Sequence, residues 1–229
     1  MKDYRWTMRV LIAATAVNLI AMLCMMSTLP DIVPGHFNIR FEVDRMGSKW
    51  FLMIFPSIAL LVCAGIALEQ RMRGRDYANN RPLTIFAGCF AAVFVLLGWM
   101  SRALCATGAQ LGEAVTAVPF DLAITLGISL LMVVLGNYMP VVQRNRTFGI
   151  RVRETLESEE VWRRVHRFAG RTYVSAGLLS AGCALIGYFS GMKWLELAGL
   201  LVFVLGGSLI IWVYARRVHA GLQRGEGRK

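Results

Sequence analysis

Apolar residues fill six long stretches of this chain, and short polar segments separate them. The stretches cover approximately residues 7–28, 50–68, 83–105, 117–139, 172–190 and 194–214. About 20 helical residues cross a hydrocarbon layer of about 30 Å, so each stretch is near the length of one transmembrane helix. A membrane span has to be helical here because lipid offers no partner for an unpaired backbone amide. The pattern predicts an all-α polytopic membrane protein with six transmembrane helices.

The composition agrees with this interpretation. The 229 residues are 56% hydrophobic and 17% charged, and the mean hydropathy is +0.54. A soluble domain carries about a quarter charged residues. The first apolar stretch follows Lys2 and Arg5, as in a signal peptide, but it is longer than the apolar core of a signal peptide and ends without a good cleavage site. We therefore interpret it as a retained first span.

Basic residues are distributed unevenly among the connections. The chain has 25 Lys and Arg against 14 Asp and Glu, a formal net charge of +11. The start of the chain, residues 69–82, residues 140–171 and the tail after 214 together hold 19 Lys and Arg, whereas the other three connections hold 4. Because Lys and Arg accumulate in short cytoplasmic loops, both termini are predicted to be cytoplasmic and residues 29–49 to face outward. The excess also favours contact with the lipid bilayer through anionic lipids. Direct nucleic-acid binding is not expected, since no reading motif accompanies the basic segments.

Polar and sulfur-containing residues inside the predicted spans are interpreted as structural. The five cysteines all lie within spans and show no CxxC spacing, so we expect small buried apolar groups and no disulfide or metal site. Asn18, in the middle of the first span, is expected to bond across helices. No GxSxG motif, Gly-rich phosphate loop or paired span-embedded aspartates indicate catalysis. No enzyme activity and no cofactor are expected.

Ionisable residues near the outer ends of the spans are candidate functional groups, because charge within a membrane is costly. Arg102 lies near the outer end of the third span and Asp121 near the outer start of the fourth. The two either pair or reach the interface separately. Glu196 lies on the same side, close to Lys193. We predict a polar outer pocket formed by these groups beneath residues 29–49. That segment contributes Asp31, His36, Glu42 and Asp44. His36 is interpreted as a hydrogen-bonding residue rather than a metal ligand, because HxxxH or HExxH spacing is absent.

Residues 140–171 form the longest basic segment. Their second half begins with Ser158, a favourable helix cap, followed by two glutamates in the first turn. Val161, Trp162, Val165 and Phe168 then follow one face at helical spacing, and Arg163, Arg164 and Arg167 follow the other. This pattern predicts an amphipathic helix in the inner interface before the fifth span, with either an anchoring role or a docking role. His166 is expected to face lipid headgroups.

Two segments of the chain resemble known sequence signatures. The first is similar to the DUF1648 pattern LP…IPxHFN…D…GSK. It matches at Leu29, Pro30, Pro34, His36, Phe37, Asn38, Asp44, Gly47, Ser48 and Lys49. The chain departs from this pattern at Phe41, Val43 and Met46.

The second segment is similar to the SdpI signature GNYxP…N…GIR…TL.SEEVWRxxHRFxG. It matches at Gly136, Asn137, Tyr138, Pro140, Asn145, Gly149, Ile150, Arg151, Thr155, Leu156, Ser158, Glu159, Val161, Trp162, His166, Arg167 and Gly170. Residues 152–154 replace the TPW that often follows GIR. The chain therefore resembles the SdpI-like family of bacterial immunity proteins, with a DUF1648-like region at residues 1–82 and an SdpI-like region at residues 83–229.

The resemblance implies a multi-pass protein of the bacterial cytoplasmic membrane that gives resistance to a membrane-active peptide toxin. It also implies that such a protein draws a cytosolic transcriptional repressor to the membrane. The expected outer recognition residues are Asp31, His36, Phe37, Asn38, Asp44, Lys49, Arg102 and Asp121. The expected inner residues, in contact with a partner or lipid, are Asn137, Tyr138, Asn145, Arg151, Glu159, Trp162, Arg163, His166 and Arg167. A transporter or channel for a small solute or peptide is the alternative, although spans 2, 5 and 6 offer little polarity at mid-depth.

Overall fold

The computed structural model describes residues 4–38, 42–74, 77–113 and 119–226. Within these residues, six helices are long and apolar enough to cross a membrane. They run over Tyr4–Thr28, Lys49–Arg73, Asn80–Cys105, Phe120–Val141, Glu159–Ser190 and Lys193–Arg224. Each contains or closely overlaps one of the six apolar stretches, so the predicted polytopic architecture is confirmed.

The helices are numbered in chain order. They are α1 (Tyr4–Cys24), α2 (Ile54–Arg73), α3 (Asn80–Cys105), α4 (Phe120–Tyr138), α5 (Arg153–Glu157), α6 (Glu159–Ser190) and α7 (Lys193–Glu226). Short 3₁₀ turns extend α1 over Met25–Thr28, precede α2 over Lys49–Met53 and follow α4 over Met139–Val141.

Residues between the first two spans form an antiparallel β-hairpin, which the sequence did not predict. Its strands are β1 (Ile32–Phe37) and β2 (Val43–Ser48), paired from Ile32 opposite Ser48 to Phe37 opposite Val43. A proline is compatible with an edge strand, and it favours an extended residue before it. The buried Val33 and Val43 join the apolar core, so the hairpin packs down on the helices.

The six membrane-spanning helices of the described residues pack as two groups of three, and the short α5 lies against α6 and α7. α1, α2 and α3 pack on one another, α6 packs on both α4 and α7, and α3 against α4 joins the groups. Thus α3 contacts the helices of the N-terminal region, whereas the sequence assigned it to the C-terminal region beyond residue 82. That regional boundary stays a prediction.

The sequence predicts a separate amphipathic helix in the inner interface before the fifth span, and the structure differs from this prediction. It forms the first turns of α6, which continues without a break from Glu159 to Ser190. The predicted cap is present, since Ser158 Oγ accepts from the amide of Val161 at 3.4 Å. Val161 and Val165 are fully buried because they pack against α7. They belong to the same core cluster as Ile211 of that helix.

The bundle has two distinct ends. We call the end that carries β1 and β2 the hairpin end. At the opposite end, the amide of Gln143 donates to Asn79 Oδ1 at 2.8 Å, and Thr147 Oγ1 donates to Glu69 Oε1 at 2.9 Å. We call this the basic end. These contacts tie the connection after α4 to the end of α2 and to the connection between α2 and α3.

Candidate functional site at the hairpin end

Lys49 anchors the hairpin to the end of the first span. Its Nζ lies 3.0 Å from Asp31 Oδ1 and donates to the carbonyl of Leu29 at 3.1 Å. The Lys49 side chain is mostly buried, whereas that of Asp31 is 92% exposed. The two predicted recognition residues therefore contact each other, and they fix where β1 begins and β2 ends.

The far part of the hairpin carries its own polar contacts. His36 Nδ1 lies 2.7 Å from Asp44 Oδ1, which joins the two strands through their exposed side chains. Asn38 Nδ2 donates to Glu42 Oε2 at 2.7 Å, and the amide of Glu42 donates back to Asn38 Oδ1 at 3.1 Å. The sequence predicts that His36 is a hydrogen-bonding residue, and its ring makes such a bond here. Among the described residues, no three His, Cys, Asp or Glu side chains gather at a possible metal site.

An apolar cleft of about 380 Å³ opens beneath one side of β1. The side chains of Phe37, Phe51, Phe55 and Phe120 contribute aromatic walls, and Ser101 lies at its α3 side. Cys105, also on this wall, places its Sγ 3.7 Å from the carbonyl of Pro34. A cleft with these walls suits an apolar side chain or an acyl chain.

A second cavity of about 370 Å³ lies on the other side of β1, between α4 and α7. Asp121, Lys193 and Glu196 form its charged wall, and Thr125 adds a hydroxyl. Lys193 Nζ donates to Asp121 Oδ2 and lies 3.6 Å from Glu196 Oε1. We call this cavity the charged pocket and the first one the apolar cleft. His36, Phe37 and Ile124 line both, so the two cavities adjoin.

Asp121 has Lys193 as its partner, not Arg102. Arg102 Nη2 instead donates to Thr28 Oγ1 at 2.6 Å, at the end of the first span. Within the first turn of α4, Asp121 Oδ1 also accepts from the amide of Leu122 at 2.8 Å. The sequence left open whether Arg102 and Asp121 pair or reach the interface separately; the structure does not pair them, and each has a different side-chain partner. The cavity brings together Asp121 and Glu196 of the predicted polar pocket, whereas Arg102 contributes to the α1–α3 contact and does not line it.

Asn145 organises the basic-end segment. Its Oδ1 accepts from the amides of Thr147 and Phe148 at 2.8 and 2.7 Å, and its Nδ2 donates to the carbonyl of Gln143 at 2.8 Å. An asparagine that bonds its own backbone in this way is a common means of closing a turn. Its contacts here are those of a turn-forming residue.

Trp162 and His166 are both only 1% exposed, which differs from the expectation that His166 faces headgroups. Trp162 Nε1 donates to the carbonyl of Val142 at 2.8 Å. His166 Nε2 accepts from the amide of Ile150 at 3.1 Å, and its Nδ1 lies 2.9 Å from the carbonyl of Trp162. These bonds assign the proton to Nδ1. Both side chains hold residues 142–150 against α6 and present no surface to a partner.

The other predicted inner residues lie at or near the surface of the basic end. Asn137, Arg151, Glu159, Arg163 and Arg167 are exposed, and Tyr138 is half-buried. Glu159 lies 3.1 Å from Arg144 Nε, and Arg163 pairs with Glu160. Arg151 Nη1 donates to the carbonyl of Arg146 at 2.8 Å. These residues remain candidates for contact with a partner or with lipid.

Several features of the hairpin end are not predictable from the sequence. The sequence places Glu196 in a polar outer pocket close to Lys193, but the position of both residues opposite Asp121 depends on how α4 packs beside α7. Phe51, Phe55 and Phe120 look like ordinary span residues in the sequence. Only the position of β1 shows that they form one wall.

Two segments of the chain, one in its N-terminal part and one in its C-terminal part, match models of known protein families. Residues 141–215 match the model of the SdpI/YfhL protein family. Residues 13–60 match the model of DUF1648, a domain of unknown function. The chain is 23% identical over 163 residues to "Immunity protein SdpI" of Bacillus subtilis (strain 168), covering 71% of this chain and 72% of the relative. No solved structure matches significantly. The resemblance seen in the sequence is thereby confirmed.

Proposed function

We propose that this SdpI-like membrane protein with a DUF1648-like region is an immunity protein that recognises a membrane-active antimicrobial peptide at its hairpin end. The observation that carries the proposal is the similarity to an immunity protein over 71% of the chain, together with the match of residues 141–215 to the SdpI/YfhL family model. Homology to an immunity protein supports the membrane immunity role. The place and mode of recognition are proposed from geometry.

The hairpin end supports recognition of an amphipathic ligand. A membrane-active peptide presents apolar side chains together with charged or polar groups. The apolar cleft and the charged pocket adjoin along His36 and Phe37, so one ligand can occupy both. Ligand sites commonly combine apolar walls with a few convergent polar groups. The hairpin contributes directly to both walls, which gives the DUF1648-like region a role in binding.

The distribution of basic residues supports the orientation that this role needs. Lys and Arg concentrate at the basic end, and the positive-inside rule then directs the hairpin end outward. A peptide secreted by neighbouring cells would meet the hairpin end first. The proposed location is the cytoplasmic membrane of a bacterium.

A survival experiment tests the immunity function. The chain is expressed in a bacterial host that a purified membrane-active peptide toxin kills, with an empty vector and an unrelated six-span protein as controls. We expect the chain to raise the toxin concentration needed for killing by at least about tenfold. Unchanged killing, with the full-length protein found in the membrane fraction, contradicts the immunity function for that toxin.

The basic end supplies a surface for the second part of the proposal, contact with a cytosolic transcriptional repressor. Arg163, Arg164 and Arg167 are exposed on α6, while the opposite face of the same turns is buried. A photo-crosslinking residue at position 167 tests this in cells. A crosslink to a cytosolic protein with a DNA-binding domain supports the contact, and crosslinks to lipid alone contradict it.

A further inference from the structure

We propose that the charged pocket binds a primary ammonium group, and that the apolar part of the same ligand occupies the adjoining apolar cleft. This inference rests on the proposed function, since it names the chemistry by which an antimicrobial peptide would be recognised. The ammonium group would belong to a lysine side chain or to the peptide's N-terminus.

The inference is carried by the buried carboxylate of Glu196, which lacks hydrogen bonds within the described part of the chain. The residue is only 2% exposed, and it lines the charged pocket. Neither carboxylate oxygen has a hydrogen-bond partner among the described residues. Buried polar atoms are nearly always bonded, and an unbonded buried carboxylate is destabilising. A ligand that donates hydrogen bonds to Glu196 would remove this deficit.

The balance of charge in the pocket specifies a cation. Its wall holds two carboxylates, on Asp121 and Glu196, and one ammonium group, on Lys193. Lys193 Nζ donates to Asp121 and also forms an ion pair with Glu196, but at 3.6 Å it is too far to donate a hydrogen bond to that carboxylate. The remaining ionisable side chain on the wall is His36, which is engaged with Asp44. With both acids ionised, the pocket therefore lacks one positive charge.

The pocket already accommodates an ammonium group, which favours this class of cation. Lys193 Nζ bonds Asp121 and lies close to Glu196, so the wall already holds one ammonium group beside its carboxylates while Glu196 keeps its acceptors for a second group with three N–H donors. A metal ion is disfavoured, because the described residues offer no group of three or more suitable ligands. The apolar Ile124 and Leu200 complete the wall, as expected for a site that also contacts the alkyl stem of the amine.

Close helix packing holds Glu196 in place. A Cβ atom at Gly187 would lie 2.8 Å from Glu196 Cγ and 3.1 Å from the Glu196 amide nitrogen. Only glycine at this position lets α6 approach the first turn of α7 so closely. The first turn of a helix also stabilises a negative charge, because the amide dipoles point their positive ends there. The carboxylate is thus fixed before any ligand arrives.

A series of three small molecules tests the inference with the intact chain in lipid nanodiscs. The probes are 2-phenylethylamine, 2-phenylethanol and phenylacetate, which share a ring and differ in charge. Binding is measured by calorimetry at neutral pH, with titrations into empty nanodiscs subtracted. We expect the amine to bind at least about tenfold tighter than the alcohol, and phenylacetate to bind weakest. Equal binding of the amine and the alcohol, or no saturable binding of the amine, overturns the inference.

Three variants separate a binding role from a structural one. Glu196→Gln should weaken amine binding at least tenfold without affecting the alcohol. Lys193→Met should strengthen amine binding, since it removes the resident ammonium group, and a structural role predicts no such gain. Glu113→Gln, at the same end and outside the pocket, should bind as the wild type does. Unchanged amine binding by a folded Glu196→Gln variant overturns the inference.

The survival experiment distinguishes this inference from the immunity function. Full protection by a folded Glu196→Gln variant overturns the ammonium inference and leaves the immunity function standing. Selective amine binding by a chain that gives no protection contradicts the immunity function and supports the pocket's chemistry.

Discussion

Gly136 of α4 and Gly170 of α6 lie against each other's backbone. A Cβ atom at Gly136 would come within 2.7 Å of the Gly170 carbonyl oxygen, and one at Gly170 within 2.8 Å of the Gly136 carbonyl oxygen. Small residues let membrane helices approach closely, and packing then replaces the hydrophobic effect as the source of association. Both glycines belong to the SdpI-like signature, so part of that signature is explained by how α4 packs on α6.

Replacing either glycine by alanine should therefore destabilise the bundle. Gly136→Ala and Gly170→Ala each force backbone to move, and overpacking of this kind costs about 1–3 kcal/mol. Gly182→Ala is the matched control, because Gly182 lies on the same helix α6 and has no atom within 4 Å of a built Cβ. Thermal unfolding in detergent measures all three. A Gly182 variant as unstable as the Gly170 variant would contradict the close-packing explanation.

The buried histidine at the basic end gives a second prediction. His166→Phe keeps a ring stacked on Trp162, whose centroid lies 3.9 Å away, but removes the acceptor for the Ile150 amide. An unsatisfied buried donor costs about 1–3 kcal/mol. His219→Phe serves as the control. His219 is half-buried and lies near the end of α7, so its replacement should change stability little. If the two variants unfold at the same temperature, the bond to Ile150 contributes nothing measurable.

The six spans were predictable because lipid imposes one requirement on every segment that crosses it. A stretch of about 20 apolar residues can be recognised as a span from its own sequence, without knowledge of the helices that pack around it. The cap at Ser158 follows from an equally local rule. For Asn18 the sequence predicts a bond across helices without naming the partner, which is Trp99, whose Nε1 donates to Asn18 Oδ1 at 2.8 Å. The expectation that Asn18 bonds across helices is thereby confirmed.

The partners of Asp121 and His166 depend on helix packing, and sequence alone leaves that open. Arg102 and Asp121 lie on consecutive spans, α3 and α4. Lys193 nevertheless reaches Asp121, because α4 also packs on α7. The amphipathic pattern around Trp162 indicated a buried face correctly. It did not show whether lipid or protein would cover that face, and residues 142–150 cover it.

Double-mutant cycles should reproduce these partnerships. We expect a coupling energy of about 0.5 kcal/mol or more between Asp121→Asn and Lys193→Met, because the two side chains are bonded. Arg102→Met and Asp121→Asn should be additive within about 0.5 kcal/mol, because they share no partner. Thermal unfolding of the single and double variants provides the energies. Strong coupling of Arg102 with Asp121 would mean that the two side chains do pair.

The orientation of the chain is testable with cysteine labelling in intact cells. Asp31→Cys places a thiol at an exposed side chain of the hairpin end, and Arg163→Cys does so at the basic end. With the hairpin end outward, a membrane-impermeant maleimide should label position 31 above the background of the native cysteines. Position 163 should react only after the cells are opened. The reverse pattern would place the hairpin end in the cytoplasm.

Recognition of the toxin at the hairpin end is tested by the survival of toxin-treated cells that carry one of two matched variants. The His36 side chain at the hairpin end is 63% exposed, and the Arg163 side chain at the basic end is 64% exposed, so neither substitution by alanine should unfold the chain. With recognition at the hairpin end, His36→Ala should lose most of the protection given by the wild type, whereas Arg163→Ala should retain it. Full protection by His36→Ala together with loss of protection in Arg163→Ala, at equal amounts of membrane protein, would mean that the toxin is not recognised at the hairpin end.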